Sequence, residues 1–292
     1  MHELPIVDRI TRIESSETLD PLIDKADSLF QSVLKPRWLR DLLHGVPFGH
    51  PLHPVAVQIP IGVWTSAALL DLAPGASRAS RALVGIGVIS AAPAVAAGWA
   101  DWLQLHPQQK RVGIVHAAAN ATALGLYALS YIQRSRGRVG SGKLLAFAGL
   151  GVLSAAGFLG GHLAYRQAAG ANHAEDVPHL FPEGWHPLGP LADLPEGQLH
   201  RVDVAGQPLL TLRHGDAVDV LSNTCSHLSA PLDEGTLIGA GTDDACVECP
   251  WHRSTFALRT GTVVHGPATS PLPRFVSRVV DGVVQVMLPG AG

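Results

Sequence analysis

Charge is what this 292-residue chain has least of: Asp, Glu, Lys and Arg together make up 15 %, and the net charge is −3. No basic patch with interleaved aromatics occurs, so nucleic acid is not among the expected partners. Cysteine is also scarce. Cys225, Cys246 and Cys249 are too few for a disulfide framework. The start, Met1-His2-Glu3-Leu4-Pro5, lacks a basic stretch followed by an apolar one, so no cleaved signal peptide is expected. Apolar residues are abundant, at 47 % with a positive mean hydropathy, in a chain long enough for two domains.

The apolar residues are concentrated between Val55 and Tyr165. Four runs, about 55–73, 82–105, 112–132 and 144–165, each approach the roughly 20 residues that cross a hydrocarbon core. The short links between them carry the breakers and charges. None of the runs has the charged face of a soluble amphipathic helix, which predicts four transmembrane helices. Gly157 and Gly161 form a small-xxx-small pair that points to close helix packing. The flanking Lys and Arg fall six to each side, so they assign no orientation.

Before the spans, residues 1–52 read as a polar arm with helical pieces. Asp20-Pro21 opens one, and Trp38, Leu39, Leu42 and Leu43 beside Lys35, Arg37 and Arg40 make a second. That mixed face suits a lipid surface as well as it suits packing on a domain. The predicted organisation is therefore an arm over 1–52, a membrane domain over 53–166, a linker over 167–184 and a last domain over 185–292. In that last domain short alternating runs, Leu199–Val204, Leu209–Leu212, Ala217–Leu221, Phe275–Val280 and Val283–Met287, are separated by Gly and Asp turns. This is the pattern of a small antiparallel β domain.

Two strings in the β domain carry chemistry: Cys225-Ser226-His227 and, after 21 residues, Cys249-Pro250-Trp251-His252. Two thiols and two imidazoles at such spacings suit a tetrahedral zinc ion or a Rieske centre, where two cysteines hold one iron and two histidines the other. Cys246-Val247-Glu248-Cys249 also has redox Cys-x-x-Cys spacing, though in no βαβ context. Cys246 reads as a buried strand residue.

The surrounding residues extend the match. Asn223-Thr224-Cys225-Ser226-His227-Leu228 with Ala230-Pro231-Leu232 and Gly235 resembles the first cluster loop of the Rieske family. Cys249-Pro250-Trp251-His252 with Phe256, Gly261 and Gly266-Pro267-Ala268 is similar to its second loop and covering proline loop. The resemblance spans about Trp185 to Leu288. It implies a [2Fe–2S] cluster, with Cys225 and Cys249 on the inner iron and His227 and His252 on the outer. Respiratory members brace the loops with a disulfide; Ala230 and Trp251 stand at those positions here. Ser254 matches a family serine that donates to the cluster, and Phe256 replaces a tyrosine that does the same. Fewer donors imply a lower potential than in the respiratory class. Arg253 stands where a glycine is usual.

Within the spans, His53, Asp101, His116 and His162 fall at one depth, because starts of odd spans and ends of even spans share a face. Ionisable groups there are functional candidates. Axial ligation of haem b, a quinol pocket and simple hydrogen-bonded bracing all remain open. Gly49-His50-Pro51-Leu52-His53-Pro54, Gln58-Ile59-Pro60-Ile61-Gly62, Leu70-Asp71, Gly98-Trp99-Ala100-Asp101 and Gly160-Gly161-His162-Leu163-Ala164-Tyr165 resemble an uncharacterised bacterial family of four-helix membrane proteins, sometimes fused to Rieske domains.

The expected fold is thus a four-transmembrane-helix bundle followed by a small all-β Rieske domain. The expected function is one-electron transfer in the bacterial plasma membrane, from quinol to a partner redox protein. A ferredoxin-like donor to a separate oxygenase and a membrane redox sensor are the alternatives. A self-contained oxygenase is not expected, since the forty residues after His252 are too few for its second, mononuclear iron site.

Overall fold

The computed structural model describes residues 5–289, which divide into two compact units: 5–43 with 51–170, and 44–50 with 171–289. The helices of the first unit are α1 (Pro5–Glu14), α2 (Asp20–Val33), α3 (Arg37–His44), α4 (Leu52–Ala56), α5 (Gln58–Leu72), α6 (Ser77–Trp102), α7 (Pro107–Ser135) and α8 (Val139–Gly161). The end of α3 belongs to the second unit. Helices α4 and α5 are two parts of one span, Leu52–Leu72, and α8 continues through a π-turn to Arg166. Four helices are therefore long and apolar enough to cross a membrane, with ends shifted a few residues from the runs in the sequence. Pro107 at the first position starts α7, where the Gln109 side chain accepts from the His106 N–H at 3.0 Å. Leu69, Leu72, Ile89 and Leu144 are more than two-thirds exposed on the outer faces of the unit, as lipid-facing residues would be.

The interior of this unit is built from small residues. Ala67, Ala97, Ala123 and Ala156 are completely buried, and the Trp64 and Tyr127 rings stack at 4.1 Å. Gly157 and Gly161 do not make the close approach expected of them, for a Cβ on either would meet nothing within 4 Å. The inward positions lie one residue earlier, at Ala156 and Gly160.

Asp71 is buried with Arg134 in a two-pronged ion pair. Arg134 also donates to Ser80 Oγ at 3.1 Å and to Ser130 Oγ at 3.0 Å, and Lys143 donates to the Asp71 carbonyl. The network ties α5, α6, α7 and α8. Such a pair costs more to break than it contributed on forming, since removal of one partner strands the other charge.

Residues 5–43 of the expected arm fold with the first unit. Ile23 of α2 packs with Trp102 and Ile114, and Phe30 stacks on Trp99 at 3.9 Å. Asp27 pairs with Lys110 at 2.5 Å, and both carboxylate oxygens of Asp20 take Arg111 at 2.7 and 2.8 Å. Leu22, Leu29, Val33 and Trp38 remain exposed on its other side. In α3, Leu39 and Leu43 pack with Leu34 and Ala100, while Trp38 and Leu42 are exposed.

The second unit is β-rich: β1 (His186–Pro190), β2 (Leu199–Val204), β3 (Gln207–His214), β4 (Ala217–Ser222), β5 (Thr236–Ile238), β6 (Cys246–Glu248), β7 (Thr255–Ala257), β8 (Val263–His265), β9 (Arg274–Val280) and β10 (Val283–Met287). A six-stranded sheet runs β1-β10-β9-β4-β3-β2, and a four-stranded sheet runs β5-β6-β7-β8, all antiparallel. From residue 171 onward the expected linker is part of this unit. Its one-turn helix α9 (Val177–Leu180) and Phe181 bury Val177 and Phe181 in the core with Leu209, Val220 and Phe275.

Candidate metal centre

The four-stranded sheet presents two loops of the same construction. In the first, between β4 and β5, the Cys225 N–H bonds to the Ala230 carbonyl at 2.9 Å, and the Ser229 N–H returns to the Cys225 carbonyl at 2.9 Å. In the second, between β6 and β7, the Cys249 N–H bonds to Ser254 O at 2.8 Å, and the Arg253 N–H returns to Cys249 O at 3.1 Å. Each turn closes through a left-handed residue, Ser229 at φ 62° and Arg253 at φ 64°. A side chain in that region costs about 1 kcal/mol, and this explains why a glycine is usual at the Arg253 position. Gly261 sits at φ 75°, and a Cβ there would lie 2.5 Å from the Leu272 carbonyl.

The turns aim amides at sulfur. The N–H groups of His227 and Leu228 bond to the Cys225 sulfur, and those of Trp251 and His252 to the Cys249 sulfur. Both thiols are almost fully buried and face each other. Their mutual hydrogen bond pulls the Cys249 thiol down to about 7, helped by its amides and opposed by burial; the same bond and burial push Cys225 up. Two buried thiols held together with donors around them make a seat for thiolate ligands of iron.

The His227 and His252 rings stand edge to face, 5.0 Å apart, and both are half-buried. The Nδ1 atom of His227 is turned away from solvent. Among the described residues no three His, Cys, Asp or Glu side chains converge on one point. A binuclear cluster takes two protein ligands at each iron, and the facing thiols and the adjacent imidazoles supply one pair each. The donor set therefore fits the [2Fe–2S] group.

Supporting residues lie one layer out. Asn223, 2 % exposed, accepts from the Asp233 N–H at 2.8 Å and donates to its carboxylate at 2.5 Å, which pins the first loop. Ser254, fully buried, accepts the Ala268 N–H at 2.9 Å and so joins the second loop to the proline loop. Phe256 is fully buried at the position read as a missing donor. Cys246 is only half-buried on β6, with its thiol directed to the Asp244 carbonyl at 3.2 Å. The reading of Cys246 as a buried strand residue holds for the strand and fails for the burial, because Val247 takes the inward place. The segment His44–His50 was not legible as part of this site. It folds with the β unit, placing Val46 and His44 against Gly266, whose added Cβ would lie 2.9 Å from Val46.

The four membrane residues do not form one cluster. The Nδ1–H of His53 donates to Ala94 O and that of His116 to Ala156 O, both at 2.8 Å. The Nε2–H of His162 instead donates to Glu14 of α1 at 2.6 Å. Asp101 is half-buried at the end of α6.

Residues 184–276 match the family model of the Rieske [2Fe-2S] domain, and residues 49–173 match a family described as predicted membrane protein (DUF2231). Over 103 residues the chain is 39 % identical to the anthranilate 1,2-dioxygenase ferredoxin subunit of Burkholderia cepacia, covering 35 % of this chain and 90 % of that protein. The same identity relates it to the 3-phenylpropionate/cinnamic acid dioxygenase ferredoxin subunit of Escherichia coli (strain K12), with 35 % and 92 % covered. Among solved structures it is similar to the ferredoxin of carbazole 1,9a-dioxygenase from Nocardioides aromaticivorans IC177, at 30 % identity over 35 % of this chain and 98 % of that one, with a TM-score of 0.32. The chain thus belongs to the Rieske [2Fe–2S] family, its cluster-bearing electron-transfer domain fused to a four-helix membrane domain.

Proposed function

We propose that the chain is a membrane-anchored one-electron carrier of the bacterial plasma membrane, taking electrons from quinol and passing them to a partner redox protein. Cys225 and Cys249 hold the inner iron and His227 and His252 the outer, in a β domain that begins near residue 171. The observation that carries this reading is the pair of matched loops, each giving one thiol with two amide donors and one half-buried imidazole. The cluster, once bound, supplies a one-electron couple. The amides stabilise the thiolates and the added electron, while the imidazoles lessen the negative charge and raise the potential. Their partly exposed edges give an electron, and a coupled proton, a short way out.

A second reading has its own support. Both curated relatives are ferredoxin subunits of dioxygenases and are covered almost end to end. On that reading the chain is a membrane-held ferredoxin, reduced by a reductase and serving a separate oxygenase. Anaerobic mixing with a short-chain quinol separates the two. Direct appearance of the reduced-cluster signal supports quinol as donor. Reduction only by a flavin reductase with NADH overturns it in favour of the ferredoxin role.

A further inference from the structure

The membrane unit contains an internal repeat. His53, Gly62, Trp64 and Asp71 recur 63 positions later as His116, Gly125, Tyr127 and Arg134; Gly87, Ala94 and Gly98 recur 62 positions later as Gly149, Ala156 and Gly160. The geometry repeats with the sequence. Trp64 lies on Gly87, where an added Cβ would come within 2.2 Å of its ring, and Tyr127 lies on Gly149, at 3.1 Å. His53 lies on Gly98 at 2.9 Å and His116 on Gly160 at 3.1 Å. Equivalent residues also meet: Trp64 stacks on Tyr127, and Asp71 pairs with Arg134. The unit is two copies of one helical hairpin whose equivalent residues meet, and His53 and His116 are its equivalent imidazoles.

Both histidines are fixed in one tautomer. A backbone carbonyl only accepts, so each Nδ1 carries the proton and each Nε2 presents a lone pair. Metal-ligating histidines are held in this way, with the other ring N–H given to a carbonyl. His116 Nε2 accepts from Asn120 Nδ2 at 3.1 Å, but that amide also has the His116 carbonyl at 3.0 Å and can release the ring. Neither imidazole is fully buried, so a ligand can reach them. With no third ligating side chain converging among the described residues, a bare ion would lack donors. Haem brings four nitrogens and leaves two axial positions, which a pair of imidazoles can fill, and facing helices of a bundle are a common place to supply them.

We propose that His53 and His116 are the axial ligands of a haem bound by the repeated hairpins. The site does not depend on the cluster assignment. The test is the visible spectrum, haem content and metal content of full-length protein in detergent, as purified and after titration with hemin. One haem per chain with a low-spin bis-imidazole spectrum is expected. His53→Ala and His116→Ala should each lower haem occupancy at least tenfold while the Rieske paramagnetic signal persists, which shows that the chain is folded. His116→Met should convert the spectrum to mixed His/Met ligation, and His162→Ala should leave it unchanged. Wild-type protein that carries its cluster yet binds no haem overturns the proposal. So does a metal bound without porphyrin, or a bis-imidazole spectrum that survives both alanine variants.

Discussion

Arg253 and Ser229 hold equivalent left-handed positions in the two cluster loops, and only the second loop places a long side chain there. Its ion pair with Glu248 at 3.1 Å is three-quarters exposed on the Arg253 side and adds little. Arg253→Gly should therefore stabilise the folded protein by up to about 1 kcal/mol, read as a higher unfolding temperature with an unchanged cluster spectrum. Ser254→Ala strands the buried Ala268 N–H and should cost ~1–3 kcal/mol. Phe256→Tyr restores a donor beside the cluster. If the new hydroxyl makes a hydrogen bond of ~1.5–3 kcal/mol to the charged site, a redox titration should show a rise of roughly 60–130 mV for a one-electron couple. An unchanged or lower potential would refute the role given to that position. At this scale the sequence was most legible, because ligands, loops and departures are local in the chain. The exception is His44–His50, whose place against Gly266 is set by tertiary packing that no nearby residue announces.

Elements were legible where one physical rule governs them. The spans were readable from length and apolarity, and the hairpin strands from alternation. Strands β5, β7 and β8 were not, and β6 showed only at Cys246, because each has only three residues and the loops between them dominate the local composition. The Asp71–Arg134 pair was missed for a different reason: its partners lie 63 positions apart, and pairing follows from helix register. Asp71→Asn should destabilise the membrane unit by about 3–5 kcal/mol, measured by thermal unfolding in detergent. Because the two positions are equivalent in the repeat, Asp71→Arg with Arg134→Asp should recover much of that loss. The arm is held by a pair of another kind. The Arg111 guanidinium beside Asp20 keeps that carboxyl below its ordinary value of 3.8, so the stabilisation is complete above that value and fades as pH falls through the lowered one. Protection factors for amide exchange along α2 should fall in strong acid and stay constant across neutral pH. Asp20→Asn should show the lower protection already at neutral pH.

The whole molecule joins two solutions to burying charge. The membrane unit pairs buried Asp71 with Arg134 in an alanine and glycine core, and the β unit encloses two thiols in a shell of amides. The 63-residue repeat was present in the sequence throughout as His-x8-Gly-x-aromatic, but with only a few matching residues per copy it gains meaning from the contacts that pair them. The electron-transfer role rests on the four ligands, and pulsed electron paramagnetic resonance of the reduced full-length protein tests them most directly. Two distinct histidine nitrogen couplings on a signal of low average g are expected, with the signal lost or reduced to one nitrogen in His227→Ala and in His252→Ala. A reduced cluster without nitrogen couplings, or both couplings surviving in those variants, would contradict the assignment.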